Sequence, residues 1–218
     1  MGTRVRLLPF KIYHLHFSRT LGGRWRFILH PSPFILSFAD LDKPVSQSSS
    51  GETYSLWLMP TGDVCERLKH ILQRLSARFG APEFLPHVTL LGRCVGPRRE
   101  LICRSARVAN ALRPFALRLT ELDCRDEYFR CLFVHVALAE PLRKAHQAAR
   151  QVFGHTREPS FMPHLSLLYG NFPRSQKEEV MAEIGPRLDV QFKVRSLHLY
   201  RTRGEPRLWR RVASFGLK

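Results

Sequence analysis

The chain has 218 residues, 44% of them hydrophobic, with 15 Phe and 3 Trp, enough apolar mass to bury a core in one large domain or two small lobes. No apolar run approaches the roughly 18 to 20 residues of a membrane-spanning helix; the longest, Phe27 to Ala39, is broken by His30, Pro31 and Pro33. A formal charge of +17 suits a phosphate-bearing ligand, while RNA-recognition, KH and zinc-finger motifs are absent, so the charge leaves the size of that ligand open.

Residues 1–50 stand apart. Six Arg or Lys and no Asp or Glu lie between Met1 and Ala39, followed by the linker-like Ser46-Gln47-Ser48-Ser49-Ser50-Gly51. Such a composition resembles an organelle transit peptide, but a disordered extension or a stretch added by a wrong start codon is the favoured reading. Residues 1–52 are therefore taken as a basic extension and 53–218 as the functional domain.

From Tyr54 the pattern is regular. Tyr54 to Met59 alternates as a strand, and Leu68, Ile71, Leu72, Leu75 and Phe79 recur as one face of a helix stopped by Gly80 and Pro82. A strand over 84–91, a helix over 97–112 and a hairpin of strands 115–122 and 128–139 follow. Next come a helix over 141–153 with Pro in its first turn, a strand over 161–169, a helix over 175–184, and strands over 192–200 and 208–215. Cut within the central hairpin, this order repeats strand-helix-strand-helix-strand. The expected fold is α+β and bilobal: two antiparallel sheets face each other across a groove, helices lie outside, and a pseudo-two-fold axis relates the halves.

The chemistry sits on a repeated phrase. Pro86-His87-Val88-Thr89-Leu90-Leu91 returns as Pro163-His164-Leu165-Ser166-Leu167-Leu168. Residues i and i+2 of a strand share a face, so each copy sets an imidazole beside a hydroxyl. Two imidazoles with pKa near 6.5 can hold opposite protonation states at neutral pH, which suits them to be base and acid in opening a cyclic phosphodiester. Hydroxyls on the same face can donate to the charge that develops on phosphorus. No metal or cofactor is required, and neither histidine has the neighbouring ligands of a metal site. A lone strand histidine is more often structural; the six-position repeat is what argues for function.

Other residues carry less. Cys65, Cys94, Cys103, Cys124 and Cys131 are odd in number and never spaced Cys-x-x-Cys; Cys131 reads as a buried free thiol in a reducing compartment. His135 reads as structural, His146 and His155 as solvent-facing, and Trp57 as core. Arg93, Arg98, Arg99 and Arg104 form either a basic track into the groove or a solvated helix face.

From Tyr54 to Leu217 the chain resembles the 2H phosphoesterase superfamily, named for two His-x-(Ser/Thr)-x motifs, and within it the plant and fungal cyclic phosphodiesterases. The resemblance is carried by Tyr54 to Pro60, Phe84 to Thr89, Cys131 to Phe133 and, most specifically, Met162 to Tyr169. It implies hydrolysis of ADP-ribose 1'',2''-cyclic phosphate, a by-product of tRNA splicing, to ADP-ribose 1''-phosphate, and opening of nucleoside 2',3'-cyclic phosphates to 2'-phosphates. By the same resemblance His164 is general base, His87 general acid, Thr89 and Ser166 donors to phosphate oxygens, and Tyr169 a wall or hydrogen-bond partner for the substrate. Cys94, Cys103 and Cys124 do not align with the cysteines that suit the plant members to regulatory disulfides. The expected partner is a small cyclic-phosphate nucleotide, with no membrane and a monomeric chain; cytoplasm is the expected location, or an organelle if residues 1–50 target one. A net excess of basic residues after position 50, 28 against 16 acidic, keeps RNA ends open as an alternative substrate, and a non-catalytic nucleotide- or RNA-binding module is the reading outside enzymes.

Overall fold

The computed structural model describes residues 16–19, 25–28, 52–155 and 161–218, in two units, Met1–Ser48 and Ser49–Lys218. In the first, β1 (His16–Arg19) pairs antiparallel with β2 (Trp25–Ile28). The remainder of the basic segment, on which the targeting expectation falls, lies outside the described residues. None of the described helices is long and apolar enough to cross a membrane.

The second unit runs β3 (Tyr54–Leu58), α1 (Gly62–Phe79), β4 (Val88–Cys94), α2 (Arg98–Asn110), β5 (Phe115–Cys124), β6 (Leu132–Val136), α3 (Glu140–Phe153), β7 (His164–Leu168), α4 (Arg174–Ile184), β8 (Gln191–Val194), β9 (Ser196–Arg201) and β10 (Arg210–Gly216). The apolar stripe of α1 buries Leu68, Leu72 and Leu75, and the helix ends where Gly80 takes the left-handed conformation, φ 60°, which glycine reaches without the Cβ penalty.

The strands form one ordered series, β10-β9-β3-β4-β7-β6-β5-β8, with neighbours antiparallel. This corrects the expectation of two separate sheets: the eight strands are a single curled sheet, thinnest at its middle, where β4 and β7 share one register pair, Val88↔Leu165. The run 192–200 is likewise two strands. β8 pairs with β5 at one edge, whereas β9 pairs with β3 and β10 toward the other. Arg195 alone separates them, so the sheet must curl until its ends nearly meet. The strand expected over 128–139 is shorter, because residues 128–130 coil into a 3-10 turn that docks through the Gly170 N–H on the Tyr128 carbonyl (3.0 Å).

Strand alternation separates two faces. Leu56, Leu58, Val88, Leu90, Val134, Leu165, Leu167, Leu197 and Leu199 belong to the core with the apolar stripes of the helices. Ser55, Trp57, His87, Thr89, Ser166 and Tyr200 alternate with them and take the opposite face. The helices also exchange halves: α1, which precedes β4, packs on β7, and α3, which precedes β7, packs on β4.

Candidate active site

The β4–β7 seam builds the site. Val88 and Leu165 are register partners and both point into the core, so their sequence neighbours face the other way. Continuing that antiparallel register by one residue in each direction sets His87 opposite Ser166 and Thr89 opposite His164. Each histidine thus lies across from the hydroxyl of the other copy. All four, with Tyr169, line one cavity of 370 Å³, so every residue expected in the site is brought together there.

The same local device orients both rings. His87 Nδ1 lies 2.6 Å from the Leu85 carbonyl, and His164 Nδ1 lies 3.0 Å from the Met162 carbonyl. A carbonyl only accepts, so Nδ1 carries the proton in both, and Nε2 is left as the working nitrogen. In each copy the accepting carbonyl belongs to the residue before a proline, Pro86 or Pro163, which biases that residue to extended backbone. The leading proline of the phrase therefore has a physical role: it helps present the carbonyl that fixes the tautomer.

The surroundings of the two rings differ. His87 is 6% exposed and stacks on Trp57 at 3.6 Å, interplanar angle 12°; Tyr200 stacks on Trp57 in turn at 3.9 Å. Burial lowers the His87 pKa to about 4, against the opposing pull of the Leu85 carbonyl and with a smaller contribution from His164. His164 is half-buried. Burial depresses it too, opposed by the Met162 carbonyl and helped by the positive fields of Arg130, His135 and Arg125.

The hydroxyls also differ. Among the described residues the Thr89 hydroxyl has no hydrogen-bond partner, whereas Ser166 Oγ donates to the Phe129 carbonyl at 3.0 Å. Tyr169 is 4% exposed and stacks on Phe84 at 3.8 Å; burial raises its pKa, opposed by Ser166, so it stays a neutral phenol.

Several contributors were not visible as motifs. Arg130 lines the cavity and is held by Glu127, its Nε donating at 2.8 Å. The turn carrying Phe129 and Arg130 is braced from beneath by Lys177, 2% exposed, whose Nζ donates to the Arg125 carbonyl (3.0 Å) and Asp126 Oδ1 (2.6 Å). Trp209, in the β9–β10 connection, sits edge-on to His87 and Tyr169 at 6.3 and 6.0 Å. These residues are distant in sequence, and only folding joins them.

Of the four arginines weighed as a basic track, only Arg93 reaches the cavity. It is the one non-glycine among the described residues at positive φ, 51°, a conformation that costs energy and often accompanies function. Arg98 and Arg99 are solvated, and Arg104 bonds Glu100 at 2.5 Å. Trp57, expected in the core, is buried but on the opposite, cavity-facing side of the sheet, where it is the platform beneath His87. Cys131 is buried and free. His146, expected at the surface, is 7% exposed and stacks on Phe161 at 3.7 Å, because the α3 face that buries Leu142, Ala145 and Ala149 includes it; His155 is half-buried. His135 is outside the cavity lining, opposite His164 in register, with Nε2 3.1 Å from Asp123 Oδ2. Among the described residues no three His, Cys, Asp or Glu side chains cluster as metal ligands.

Paired His-x-Thr and His-x-Ser arms on adjoining strands of a curled antiparallel sheet are the layout of a 2H phosphoesterase. A model of the 2'-5' RNA ligase superfamily matches residues 60–206, and the chain belongs to that family. It is 24% identical over 169 residues to a cyclic phosphodiesterase of Arabidopsis thaliana, covering 74% of this chain and 93% of that protein. It is 34% identical over 137 residues to a 2',3'-cyclic-nucleotide 3'-phosphodiesterase of Phaeosphaeria nodorum, covering 55% and 69% respectively. Among solved structures, E. coli LigT complexed with NADP+ superposes with a TM-score of 0.54 at 15% identity, and LigT with 3'-AMP with 0.51 at 13%. Each covers 77% of this chain and 98% of LigT; at such identity the likeness is one of fold.

Proposed function

We propose that this chain hydrolyses the cyclic phosphodiester of a small nucleotide, opening ADP-ribose 1'',2''-cyclic phosphate and nucleoside 2',3'-cyclic phosphates without a metal. The observation that carries this reading is the seam: two histidines, each with its Nδ1 tied to backbone and its Nε2 free, lie across from two hydroxyls in one cavity. The names of the Arabidopsis and fungal relatives and the nucleotides held by LigT are consistent with it.

In the proposed reaction a water oxygen attacks phosphorus while one Nε2 takes its proton. The ring P–O bond breaks, and the other Nε2–H protonates the departing ribose oxygen. The ring environments favour the reverse of the roles that resemblance implied. A base must start neutral, and His87, with a pKa of about 4, is neutral at every physiological pH; His164, half-buried at the cavity, is the ring whose protonated form, charged by a proton from solvent, an arriving phosphate anion stabilises. We therefore assign His87 as base and His164 as acid. The free Thr89 hydroxyl donates to a phosphate oxygen, and Ser166 does so by turning its proton away from the Phe129 carbonyl. Arg93 and Arg130 supply positive charge, and Tyr169, in the lining of the same cavity, serves as a wall or hydrogen-bond partner for the substrate.

The same reading takes β10-β9-β3-β4 and β7-β6-β5-β8 as two lobes related by a pseudo-two-fold axis through the Val88–Leu165 pair, each lending one arm. The functional domain is placed at 53–218, in a monomer. Five cysteines joined by no disulfide suit a reducing compartment such as cytoplasm. RNA ends form the second reading, favoured by Arg93 and Arg130 at the cavity. The test is turnover, in EDTA, of ADP-ribose 1'',2''-cyclic phosphate, a nucleoside 2',3'-cyclic phosphate, and an oligonucleotide with the same cyclic end. Turnover lost in His87→Ala and His164→Ala is expected; no turnover of any substrate, or turnover surviving either substitution, overturns the proposal. A strong, salt-sensitive preference for the oligonucleotide would select RNA.

A further inference from the structure

A second cavity, of 260 Å³, adjoins the histidine cavity and shares two walls with it, Trp57 and Trp209. Its other aromatic surfaces come from Phe84, in the loop leading to His87, and from Tyr200, the ring behind Trp57. Three cations line it, Lys69 from α1 and Arg207 and Arg210 from the β9–β10 connection, against one carboxylate, Glu83. Two of the cations have only solvated carboxylate neighbours, Lys69 with Glu66 at 2.7 Å and Arg207 with Glu205 at 2.6 Å; such pairs hold little energy and yield readily to a stronger anion. Arg210 has no carboxylate partner among the described residues and donates to the Arg207 and Trp209 carbonyls (2.6 and 2.9 Å). The cavity thus offers aromatic rings and positive charge together, and it opens beside the ring that carries the reacting nitrogen.

We propose that this second cavity binds a second nucleoside of the substrate, joined to the reacting ribose through phosphate. Phe84 and Trp209, the half-buried aromatic walls, take a nucleobase by stacking, whatever its identity, over the buried Trp57–Tyr200 stack, and Lys69, Arg207 and Arg210 take the bridging phosphate or diphosphate. Continuity through Trp57 and Trp209 fits one ligand occupying both cavities, and a nucleoside cyclic phosphate alone would leave the second unfilled. The inference rests on the proposed cyclic phosphodiesterase reading and names the part of the substrate that the histidines do not touch.

The experiment compares kcat/KM for three substrates: a mononucleoside 2',3'-cyclic phosphate, ADP-ribose 1'',2''-cyclic phosphate, and a dinucleotide with a 2',3'-cyclic end. The wild-type chain is expected to favour at least one two-nucleoside substrate over the mononucleoside. In Arg210→Ala and Lys69→Ala that preference is expected to fall about tenfold, the size of a lost charge-assisted contact. Loss confined to the diphosphate-linked substrate identifies an ADP-ribose type ligand, and loss confined to the dinucleotide identifies an RNA end. No wild-type preference, or a preference changed less than about threefold in both variants, overturns the inference while leaving the proposed hydrolysis intact. If no substrate turns over, calorimetry with ADP decides instead: binding weakened by both substitutions supports the subsite, and unaltered or undetectable binding overturns it.

Discussion

The two histidine arms begin from nearly the same six residues and end in different surroundings. In both, a pre-proline carbonyl fixes Nδ1 and frees Nε2. Around the first arm β3 and β9 close Trp57 and Tyr200 over the ring, and burial drives its pKa to about 4. Around the second, the 125–130 turn brings Arg125 and Arg130 near a half-buried ring. Orientation is thus local and repeated, whereas proton affinity is tertiary and differs between copies. In the proposed reaction that inequality sorts the two rings into base and acid.

The largest effect that breaks the comparison is removal of either ring. His87→Ala and His164→Ala should each lower kcat by about 10² to 10⁴-fold. A phosphodiester with a good leaving group, such as p-nitrophenolate, should separate them, since such a group leaves without protonation. His164→Ala should then recover much of its activity and His87→Ala should not. Recovery in His87→Ala instead would return the roles to those implied by resemblance.

The hydroxyls should show a smaller asymmetry. Thr89 is free to donate, so Thr89→Val should cost about 10²-fold in kcat, as loss of one fixed donor to a developing oxyanion does. Ser166 already donates to the Phe129 carbonyl, and Ser166→Ala should cost less in kcat while loosening the turn. Equal losses in a steady-state comparison would show that the Ser166 bond to Phe129 breaks without cost.

Burial of His87 also has a stability consequence. Its folded pKa lies below the unfolded value near 6.5, so the unfolded chain binds the extra proton first. Its contribution is therefore whole above pH 6.5 and is lost as pH falls toward about 4, a change of about 3 kcal/mol. Denaturant titrations of wild type and His87→Gln should diverge over that window and run parallel above it. Parallel curves throughout would mean that the ring is not held neutral by burial.

The smallest effect concerns the support of the second arm. Gly170 has φ 147°, and a Cβ there would meet the Phe172 ring at 2.3 Å, while its N–H secures the 128–130 turn. Gly170→Ala should cost about 1 to 3 kcal/mol in thermal or denaturant unfolding and should perturb the His164 side of the cavity more than the His87 side, readable in the imidazole proton resonances.

Much of this was legible in the chain itself. Helix α1 and its stop at Gly80, the hairpin of β5 and β6, and the two histidine strands follow from periodicity, glycine and proline, because those signals act within a few residues. What misled was also local. The run 192–200 alternates like one strand, and nothing in it marks Arg195 as the point where the chain crosses from one edge of the sheet to the other. His146 reads as polar until α3 is packed. Lys177 gives no hint that it will be buried beneath a turn some fifty positions earlier.

The repeated Pro-His-apolar-hydroxyl phrase determined, by itself, which nitrogen each histidine presents and which face the hydroxyls share, since proline geometry and strand alternation need no partner. The tertiary structure decided the rest: that the arms meet at Val88 and Leu165 so each imidazole faces the other copy's hydroxyl, that Trp57 buries one ring, and that Arg130 stands near the other. Register and desolvation arise between segments far apart in sequence, so no local pattern encodes them.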